Sequence, residues 1–209
     1  MIEQGTPEWH AMRLGKATAS RIRDIIATTK SGVSASRAGY LAELVAERLT
    51  GEAGDNYSSP AMQRGNELEP AARSVYEFQH DVTVDQVSFI DHPVIVMTGA
   101  SPDGLVGTDG LVEIKCPGAA KHLSSLMGSS IDGHYITQMQ WQMACTGRAW
   151  CDFVSYNPSF PHDMQLHVRR VERVDETIAQ LEEKVAAFLA EVGETVANLR
   201  ARYSIMEGV

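Results

Sequence analysis

Apolar side chains recur every three or four residues in five stretches, the spacing expected for one buried face of an α-helix. The predicted helices cover residues 18–29, 37–51, 65–80, 134–147 and 175–203. The stripes of the first three are formed by Ile22, Ile25 and Ile26, by Leu41, Leu44, Val45 and Leu49, and by Leu68, Ala71 or Ala72, Val75 and Phe78. Thr18 or Ser20 is predicted to cap the first helix and Gly51 to end the second. The last helix is long, acidic and amphipathic.

Short β-type runs separated by turn residues fill residues 81–117, and two further strands are predicted within residues 149–158 and 164–173. The order is helices, then strands, one helix, two strands and a final helix. This order predicts a mixed α/β (α+β) fold with a central mixed sheet flanked by helices. We expect one domain over residues 1–209, with a helical N-terminal part and a long C-terminal helix.

Pro70 sets an expectation for the helix over residues 65–80. Proline lacks an amide hydrogen and clashes with the preceding turn, so it is best tolerated in the first turn of a helix. Glu69 is therefore predicted to lie near a helix N-terminus. A structural explanation for Glu69 is then simple stabilisation of the helix dipole by an acidic residue.

The net charge of −9 disfavours nucleic acid as a partner, but the charges are unevenly distributed. Residues 1–40 carry six Lys or Arg and three Asp or Glu, so the acidic excess lies in the remainder. This basic N-terminal end permits a phosphate partner, although a solvated helix face explains it equally well.

The remaining composition narrows the class of protein. No apolar run approaches the length of a membrane span, and residues 1–20 lack the pattern of a secretory signal, so a cytoplasmic location is expected. The three cysteines, Cys116, Cys145 and Cys151, have no paired spacing and are interpreted as buried free thiols rather than disulfide partners or zinc ligands.

Candidate chemistry lies in residues 99–117, where Ser-Pro-Asp-Gly is followed by Glu-Ile-Lys. Alone, the first motif is typical of a β-turn at Asp103. Alone, the second is typical of an exposed pair, because Glu113 and Lys115 point to one face of a strand about 6.6 Å apart. Together they change the interpretation, since a hairpin of this length can bring Asp103 beside Glu113. Converging carboxylates favour Mg²⁺, and the adjacent Lys115 can orient a water or stabilise transition-state charge.

These motifs resemble the Asp, then Glu-x-Lys, core of the restriction-endonuclease-like nucleases. Four further motifs occur in the order found in that family. They are residues 3–20, the Gly-x-x-x-Glu helix at residues 65–78, the Gln-x-Gln helix at residues 137–147 and Tyr-Asn-Pro at residues 156–158. On these motifs the chain is identified as a member of the lambda exonuclease (YqaJ-type viral recombinase) family.

The resemblance implies a role for each matching position. The metal would be two Mg²⁺ ions, for which Mn²⁺ can substitute. Its ligands would be Asp103, Glu113, Glu69 and the carbonyl of Ile114. Lys115 would help position or activate the attacking water. Gln138 would hold that water or a neighbouring carboxylate, and Gln140 is a weaker candidate. The DNA and its 5′-phosphate would be bound by Arg13 and Ser20, with Lys30 as a further contact and Met62 as an apolar wedge. Trp9 and His10 are expected to pack at the opening segment.

The implied activity is a processive, alkaline-type 5′-to-3′ exonuclease that degrades one strand of double-stranded DNA to mononucleotides. It would act as a homotrimeric ring, in a bacterial host carrying the phage or prophage, with a single-strand annealing recombinase as its partner. Two alternatives remain open: an endonuclease with the same fold, and a non-catalytic module that binds DNA ends. A protein-interaction domain built on the acidic C-terminal helix is a third, but it leaves the central carboxylates unexplained.

Overall fold

The computed structural model describes residues 2–29, 32–54 and 59–204. The helices are α1 Pro7–Arg13, α2 Ile22–Ile26, α3 Ala35–Thr50, α4 Pro60–His80, α5 Ala119–Leu126, α6 Gly133–Thr146 and α7 Asp175–Ser204. Two short 3₁₀ segments span Ala19–Arg21 and His162–Met164. The strands are β1 Ala17–Thr18, β2 Thr28–Thr29, β3 Gly32–Val33, β4 Val84–Asp85, β5 Ile90–Asp91, β6 Thr98–Ala100, β7 Gly104–Val106, β8 Gly110–Lys115, β9 Trp150–Tyr156 and β10 Leu166–Glu172.

The predicted mixed sheet flanked by helices is confirmed. Five strands pair in the order β10-β9-β8-β7-β4, with β8 and β9 parallel and the other neighbours antiparallel. The parallel pair needs a long crossover, which α5 and α6 supply. A smaller sheet has the order β1-β6-β5, and β2, which falls at the end of the first predicted helix, pairs with β3.

The two faces of β8 pack against different helices. Val112 and Ile114 join α4 residues Ala72 and Tyr76 in one apolar cluster, so the Ile114 side chain faces the core. Leu111, on the other face, packs against Met139 of α6. Glu113 shares that second face and is fully buried. The alternation of side chains along one strand therefore places a carboxylate between the sheet and α6.

The predicted start of α4 is wrong. The helix begins at Pro60, with the Ser59 side chain accepting a hydrogen bond from the Met62 amide as the N-cap. Serine at the cap followed by proline is a strong start signal, and it lies ahead of the Gly-x-x-x-Glu motif. Pro70 consequently sits in the interior of a 21-residue helix, where one missing amide donor is tolerated. Glu69 is thus two turns inside the helix, and a helix-dipole role for it is excluded.

The apolar stripe of α4 is also shifted from the prediction. Phe78 is 86% exposed, whereas Tyr76 is 1% exposed and packs in the core with Ala72. Tyr76 is buried because its hydroxyl donates to Asp152 on β9 at 2.8 Å, which satisfies the polar end of the ring. A stripe defined only by apolar residues misses an amphipathic tyrosine.

The region around the first predicted helix is more irregular than expected. Only Ile22–Ile26 is α-helical, because Thr18 ends β1 and Ser20 lies in the 3₁₀ segment. The Thr18 side chain makes no capping hydrogen bond. The pairing of β1 with β6 uses backbone that a longer helix would need, which explains the shortening. The second helix ends as predicted at Gly51, whose φ of 72° is readily adopted by glycine.

Candidate active site

Asp103 lies where the chain crosses from the small sheet to the large one, between β6 and β7. Its Oδ2 accepts a hydrogen bond of 2.6 Å from the backbone amide of Ile114. The register of β7 with β8 pairs Gly104 with Val112, so the preceding Asp103 lies beside Glu113. The close packing needs Gly104, because a Cβ there would lie 2.0 Å from a Val84 methyl group. The predicted convergence of Asp103 and Glu113 is confirmed.

Glu113 is a fully buried carboxylate with donors on both oxygens. Gln138 Nε2 donates to Oε1 at 2.7 Å, and Gln142 Nε2 donates to Oε2 at 2.6 Å. Lys115 Nζ forms an ion pair with Oε1. Burying a charged group without partners is very unfavourable, so these donors hold the carboxylate in one orientation.

Lys115 reaches the same site from the same face of β8 and remains partly exposed. Its ammonium also lies 5.4 Å from the centre of the Tyr135 ring on α6. Burial alone would lower the pKa of Lys115, but the carboxylates of Glu113 and Asp103 more than reverse this and raise it above the usual range. A charged Lys115 is suited to orienting a water or stabilising negative charge.

The pKa of Asp103 is also raised, but for a carboxyl this shift disfavours the charged form. Burial and then the negative charge of Glu113 raise the pKa of the Asp103 carboxyl well above its usual value, against the opposing effects of Lys115 and the Ile114 amide. Burial is the largest cause of this rise. The carboxylates of Glu113 and Glu69 add to it, so the negative charge around Asp103 exceeds what the Lys115 ammonium offsets. An added cation would relieve this imbalance.

Glu69 approaches the same cluster from α4. Its Oε1 accepts a hydrogen bond of 2.6 Å from Arg73, one turn later on the helix. Burial raises the pKa of Glu69 despite this ion pair. The positive charge of Lys115 lowers this pKa and the negative charge of Glu113 raises it. The structure therefore brings Glu69 to the edge of the site, with its carboxylate engaged by Arg73.

The two predicted glutamines of α6 have different surroundings. Gln138 contacts Glu113 as expected, whereas Gln140 binds the backbone away from the site, donating to the Glu172 carbonyl and accepting from the Val174 amide. Gln140 therefore fixes the link between β10 and α7. The second contact with Glu113 comes from Gln142, which the sequence prediction missed. The signal was available, since residues four apart share a helix face and residues two apart do not.

Among residues 2–29, 32–54 and 59–204, no group of three His, Cys, Asp or Glu side chains is arranged to hold a metal ion. The donors available are the carboxylates of Asp103 and Glu113, joined by Glu69 if it leaves Arg73, and the Ile114 carbonyl. All are hard oxygen ligands, as Mg²⁺ prefers. In the part of the chain that the structure describes, the buried Oε1 of Gln142 accepts no hydrogen bond, while the Nε2 of the same side chain binds Glu113. The residues present thus fit Mg²⁺ by their chemistry and by the unbalanced negative charge.

The predicted phosphate contacts lie on the N-terminal elements. Arg13, the last residue of α1, is partly buried and stacks on Trp9, with its Cζ 3.8 Å from the ring centre. Burial lowers the pKa of Arg13, against opposing effects of Tyr40 and Glu47. Ser20 is exposed in the 3₁₀ segment that follows β1. Because β1 runs parallel to β6, the C-terminal ends of both strands lie at the same edge of the small sheet. Asp103 comes shortly after the C-terminal end of β6.

Of the remaining two predicted DNA contacts, the structure describes Met62, which lies outside the carboxylate cluster. Met62 is 55% exposed in the first turn of α4, two turns before Glu69. Arg64, in the same turn, donates to the Pro117 carbonyl and so ties this end of α4 to the segment after β8. Lys30 lies outside the described residues.

The three cysteines behave as free thiols. Cys145 and Cys151 are buried, and Cys116 is partly buried beside the site. Burial raises the pKa of the Cys116 thiol to about 11, so a thiolate there is disfavoured.

Among the described residues, no helix is long and apolar enough to cross a membrane.

A mixed sheet with an aspartate at the turn into one strand and a Glu-x-Lys pair on the next defines a restriction-endonuclease-like fold. Comparison with known families narrows this class. The model of the YqaJ-like viral recombinase domain matches residues 8–149, which is more than half of the chain. The chain therefore belongs to the YqaJ-like viral recombinase family, as its motifs predicted.

Solved structures agree with this assignment. The chain is similar to an alkaline exonuclease, LHK-Exo, from Laribacter hongkongensis, with 50% identity, a TM-score of 0.89 and coverage of 96% of this chain and 100% of that one. The same enzyme in complex with dAMP matches equally well. A phage-related exonuclease from Haemophilus somnus 129PT has 15% identity, a TM-score of 0.69 and coverage of 88% and 96%, and shows the shared fold alone. A search of functionally curated proteins gave no match.

Proposed function

We propose that this protein is a Mg²⁺-dependent, alkaline-type exonuclease that degrades one strand of double-stranded DNA from its 5′ end to mononucleotides. The observation that carries the proposal is the cluster of Asp103, Glu113 and Lys115, with Gln138 bonded to Glu113. The 50% identity to an alkaline exonuclease over nearly the whole chain supports the same chemistry. The dAMP complex of that relative is consistent with a mononucleotide product.

The chain's own residues have separate roles in this reaction. Asp103, Glu113, the Ile114 carbonyl and Glu69 would hold Mg²⁺, which when bound activates water and stabilises the leaving oxygen. Glu69 would have to leave Arg73, and this rearrangement is local because the two lie one turn apart. Lys115 would orient the attacking water and stabilise the negative charge that develops on the phosphate. Gln138 and Gln142 would keep the Glu113 carboxylate in a fixed orientation.

Polarity would come from recognition of the DNA end. Arg13 and Ser20 would bind the terminal 5′-phosphate through charge-assisted hydrogen bonds. Met62, exposed at the start of α4, would part the strands as an apolar wedge. The product would carry a 3′ single-stranded overhang, a substrate for a single-strand annealing recombinase in phage recombination.

The direct test is a time course on a linear duplex labelled at either end, with Mg²⁺ or with EDTA. We expect release of labelled mononucleotides from 5′ ends with Mg²⁺ only. Asp103→Ala and Lys115→Ala should lose cleavage by at least about a hundredfold while still binding DNA ends in EDTA. Lys184→Ala, which removes an exposed lysine from α7, should cleave at the wild-type rate. A Lys115→Ala enzyme with full activity would contradict the proposed role of Lys115.

A second substrate separates the proposal from its two rivals. A covalently closed plasmid has no end, so the proposed enzyme should leave it intact, whereas an endonuclease of the same fold would nick it. A non-catalytic end-binding module would leave both substrates unchanged with Mg²⁺ present. Nicking of the closed plasmid, or an unchanged linear duplex, would overturn the proposal in favour of one or the other.

A further inference from the structure

We infer that Trp9 is a positioning residue that links recognition of the DNA end by Arg13 to the turn that carries Asp103. The inference rests on the proposed function and extends it. Trp9 contacts both parts of the site at once, through different features of its side chain. The ring face packs against the Arg13 guanidinium, and the indole N–H binds the segment just before Asp103.

The contact with the Asp103 turn is specific and long-range in sequence. Trp9 Nε1 donates to Ser101 Oγ at 3.0 Å, across 92 residues and two positions before Asp103. Gln4 supports it, because its Nε2 donates to the Pro102 carbonyl at 2.9 Å and to the Val87 carbonyl at 2.8 Å. Through Gln4 and Trp9, the N-terminal segment and α1 are therefore hydrogen-bonded to the residues that connect β6 to β7.

The contact with Arg13 leaves the guanidinium available. Its Cζ lies 3.8 Å from the centre of the Trp9 ring, within the range of a cation–π interaction. Within residues 2–29, 32–54 and 59–204, the Arg13 guanidinium donates no hydrogen bond and forms no ion pair. Trp9 thus restricts where the guanidinium lies without occupying its donors, which remain free for a phosphate.

Simple packing explains Trp9 less well. Helix α1 has no buried residue, and Trp9 itself is only partly buried. A residue that served only to cover apolar surface would need neither an aromatic face nor an N–H donor. Both features are used here, and they connect Arg13 to Ser101. A phosphate bound by Arg13 would therefore be held at a fixed position relative to Asp103.

Two substitutions separate the features of Trp9. Trp9→Phe keeps an aromatic face for Arg13 but removes the donor to Ser101, and Trp9→Leu removes both. The readout is the ratio of kcat/KM on a duplex with 5′-phosphate ends to that on the same duplex with 5′-hydroxyl ends. A structural defect would lower both values together, whereas loss of positioning lowers the phosphate value selectively. DNA-end binding in EDTA, measured by fluorescence anisotropy, gives a second readout without cleavage.

We expect the ratio to fall by about tenfold in Trp9→Leu and by a smaller factor in Trp9→Phe, with the preference for phosphate-ended DNA in EDTA falling alongside. His10→Ala is the matched control, since it removes a ring that contacts Trp9 edge-on from the same helix and leaves both Trp9 contacts in place. Its ratio should match the wild type. Melting temperatures establish that each variant is folded, and Trp9→Phe carries the test if Trp9→Leu is not.

The outcomes distinguish the inference from the proposed function. An unchanged ratio in a folded Trp9→Leu protein, or an equal loss on both kinds of end, would overturn the role of Trp9 while leaving the exonuclease intact. A wild-type protein that does not degrade the linear duplex at all would instead overturn the proposed function. A wild type that degrades phosphate and hydroxyl ends equally would overturn end recognition by Arg13, and the inference with it.

Discussion

At the scale of single residues, the most informative side chain is Glu113, a carboxylate buried between the sheet and α6. Its two oxygens are bound by Gln138, Gln142 and Lys115. Only the first and last of these follow from the sequence motifs. Gln142 escapes because the Gln-x-Gln pattern directs attention to residues two apart, whereas a helix presents residues four apart to one neighbour. The contact itself depends on how α6 docks on β8, which no local pattern encodes.

Gln142 and Gln140 form a natural pair for testing this contact. Gln142→Met removes a hydrogen bond to a buried charge, so the free energy of unfolding should fall by about 1.5–3 kcal/mol. Because the freed carboxylate is less well oriented, the Mg²⁺ concentration for half-maximal cleavage should rise by about tenfold or more. Gln140→Met removes two bonds to the backbone outside the site and should destabilise without changing the Mg²⁺ requirement. Equal shifts in both variants would refute the role of Gln142.

His92 predicts a pH effect on stability. Its Nδ1 accepts from the Val94 and Ile95 amides, and Nε2 faces Glu182 at 3.2 Å. Burial lowers the pKa of His92, against the opposing effect of Glu182. The unfolded chain therefore takes up a proton near pH 6.5 while the native protein does not, so stability falls as the pH drops from about 6.5 towards the lowered value.

The measurement for His92 is the melting temperature in EDTA between pH 5 and pH 8. His92→Asn supplies a side-chain acceptor for the two amides but has no ring to titrate. We expect the wild type to lose more stability than the variant below about pH 6.5, and the two to run parallel above it. Parallel curves throughout would show that the native state protonates His92 as readily as the unfolded chain does.

At the scale of elements, α4 shows where hydrophobic periodicity succeeds and where it fails. The helix and its contacts through Ala72 and Val75 follow from the sequence pattern. Its start does not, because Ser59 and Pro60 lie ahead of the first apolar position, and its inner face includes Tyr76 instead of Phe78. Tyr76 can be buried only because Asp152 on a distant strand accepts a hydrogen bond from its hydroxyl. That partner becomes visible only when the fold is known.

The pair of aromatic residues in α4 gives a stability test. Tyr76→Phe leaves the buried Asp152 with Arg170 alone, and should lower the free energy of unfolding by about 1–2 kcal/mol. Phe78→Gln alters a side chain that is 86% exposed and should change it by less than about 0.5 kcal/mol. Urea denaturation of both variants measures the difference. A larger loss from Phe78→Gln than from Tyr76→Phe would contradict the assignment of Tyr76 to the buried face of α4 and Phe78 to the exposed face.

The β7–β8 hairpin, by contrast, was predictable in detail. Glu113 lies ten positions after Asp103, and a hairpin of that length can bring the two side by side, as the register of β7 with β8 does. Local constraints of this kind can be read from sequence. The joining of α1 to the same turn through Trp9 and Ser101 spans 92 residues and could not be.

At the scale of the whole molecule, the charge distribution agrees with a nuclease that encloses DNA. The acidic excess lies beyond residue 40, and the basic residues near the N-terminus include Arg13, which stacks on Trp9. The proposed homotrimeric ring would direct the basic end towards the DNA and the acidic surfaces outward. Light scattering coupled to gel filtration should give three times the mass of one chain. A monomer at working concentrations would remove the structural basis proposed for processivity.

The central claim is that Asp103, Glu113 and Lys115 form a metal-dependent site for cleaving phosphodiester bonds. The most direct test is a crystal soaked in Mn²⁺ and recorded at a wavelength where manganese scatters anomalously. We predict an anomalous peak for a manganese ion within bonding distance of the Asp103 and Glu113 carboxylates and the Ile114 carbonyl. Gln142 should still be hydrogen-bonded to Glu113. No peak among these groups, in a crystal of protein that degrades DNA in solution, would contradict the account.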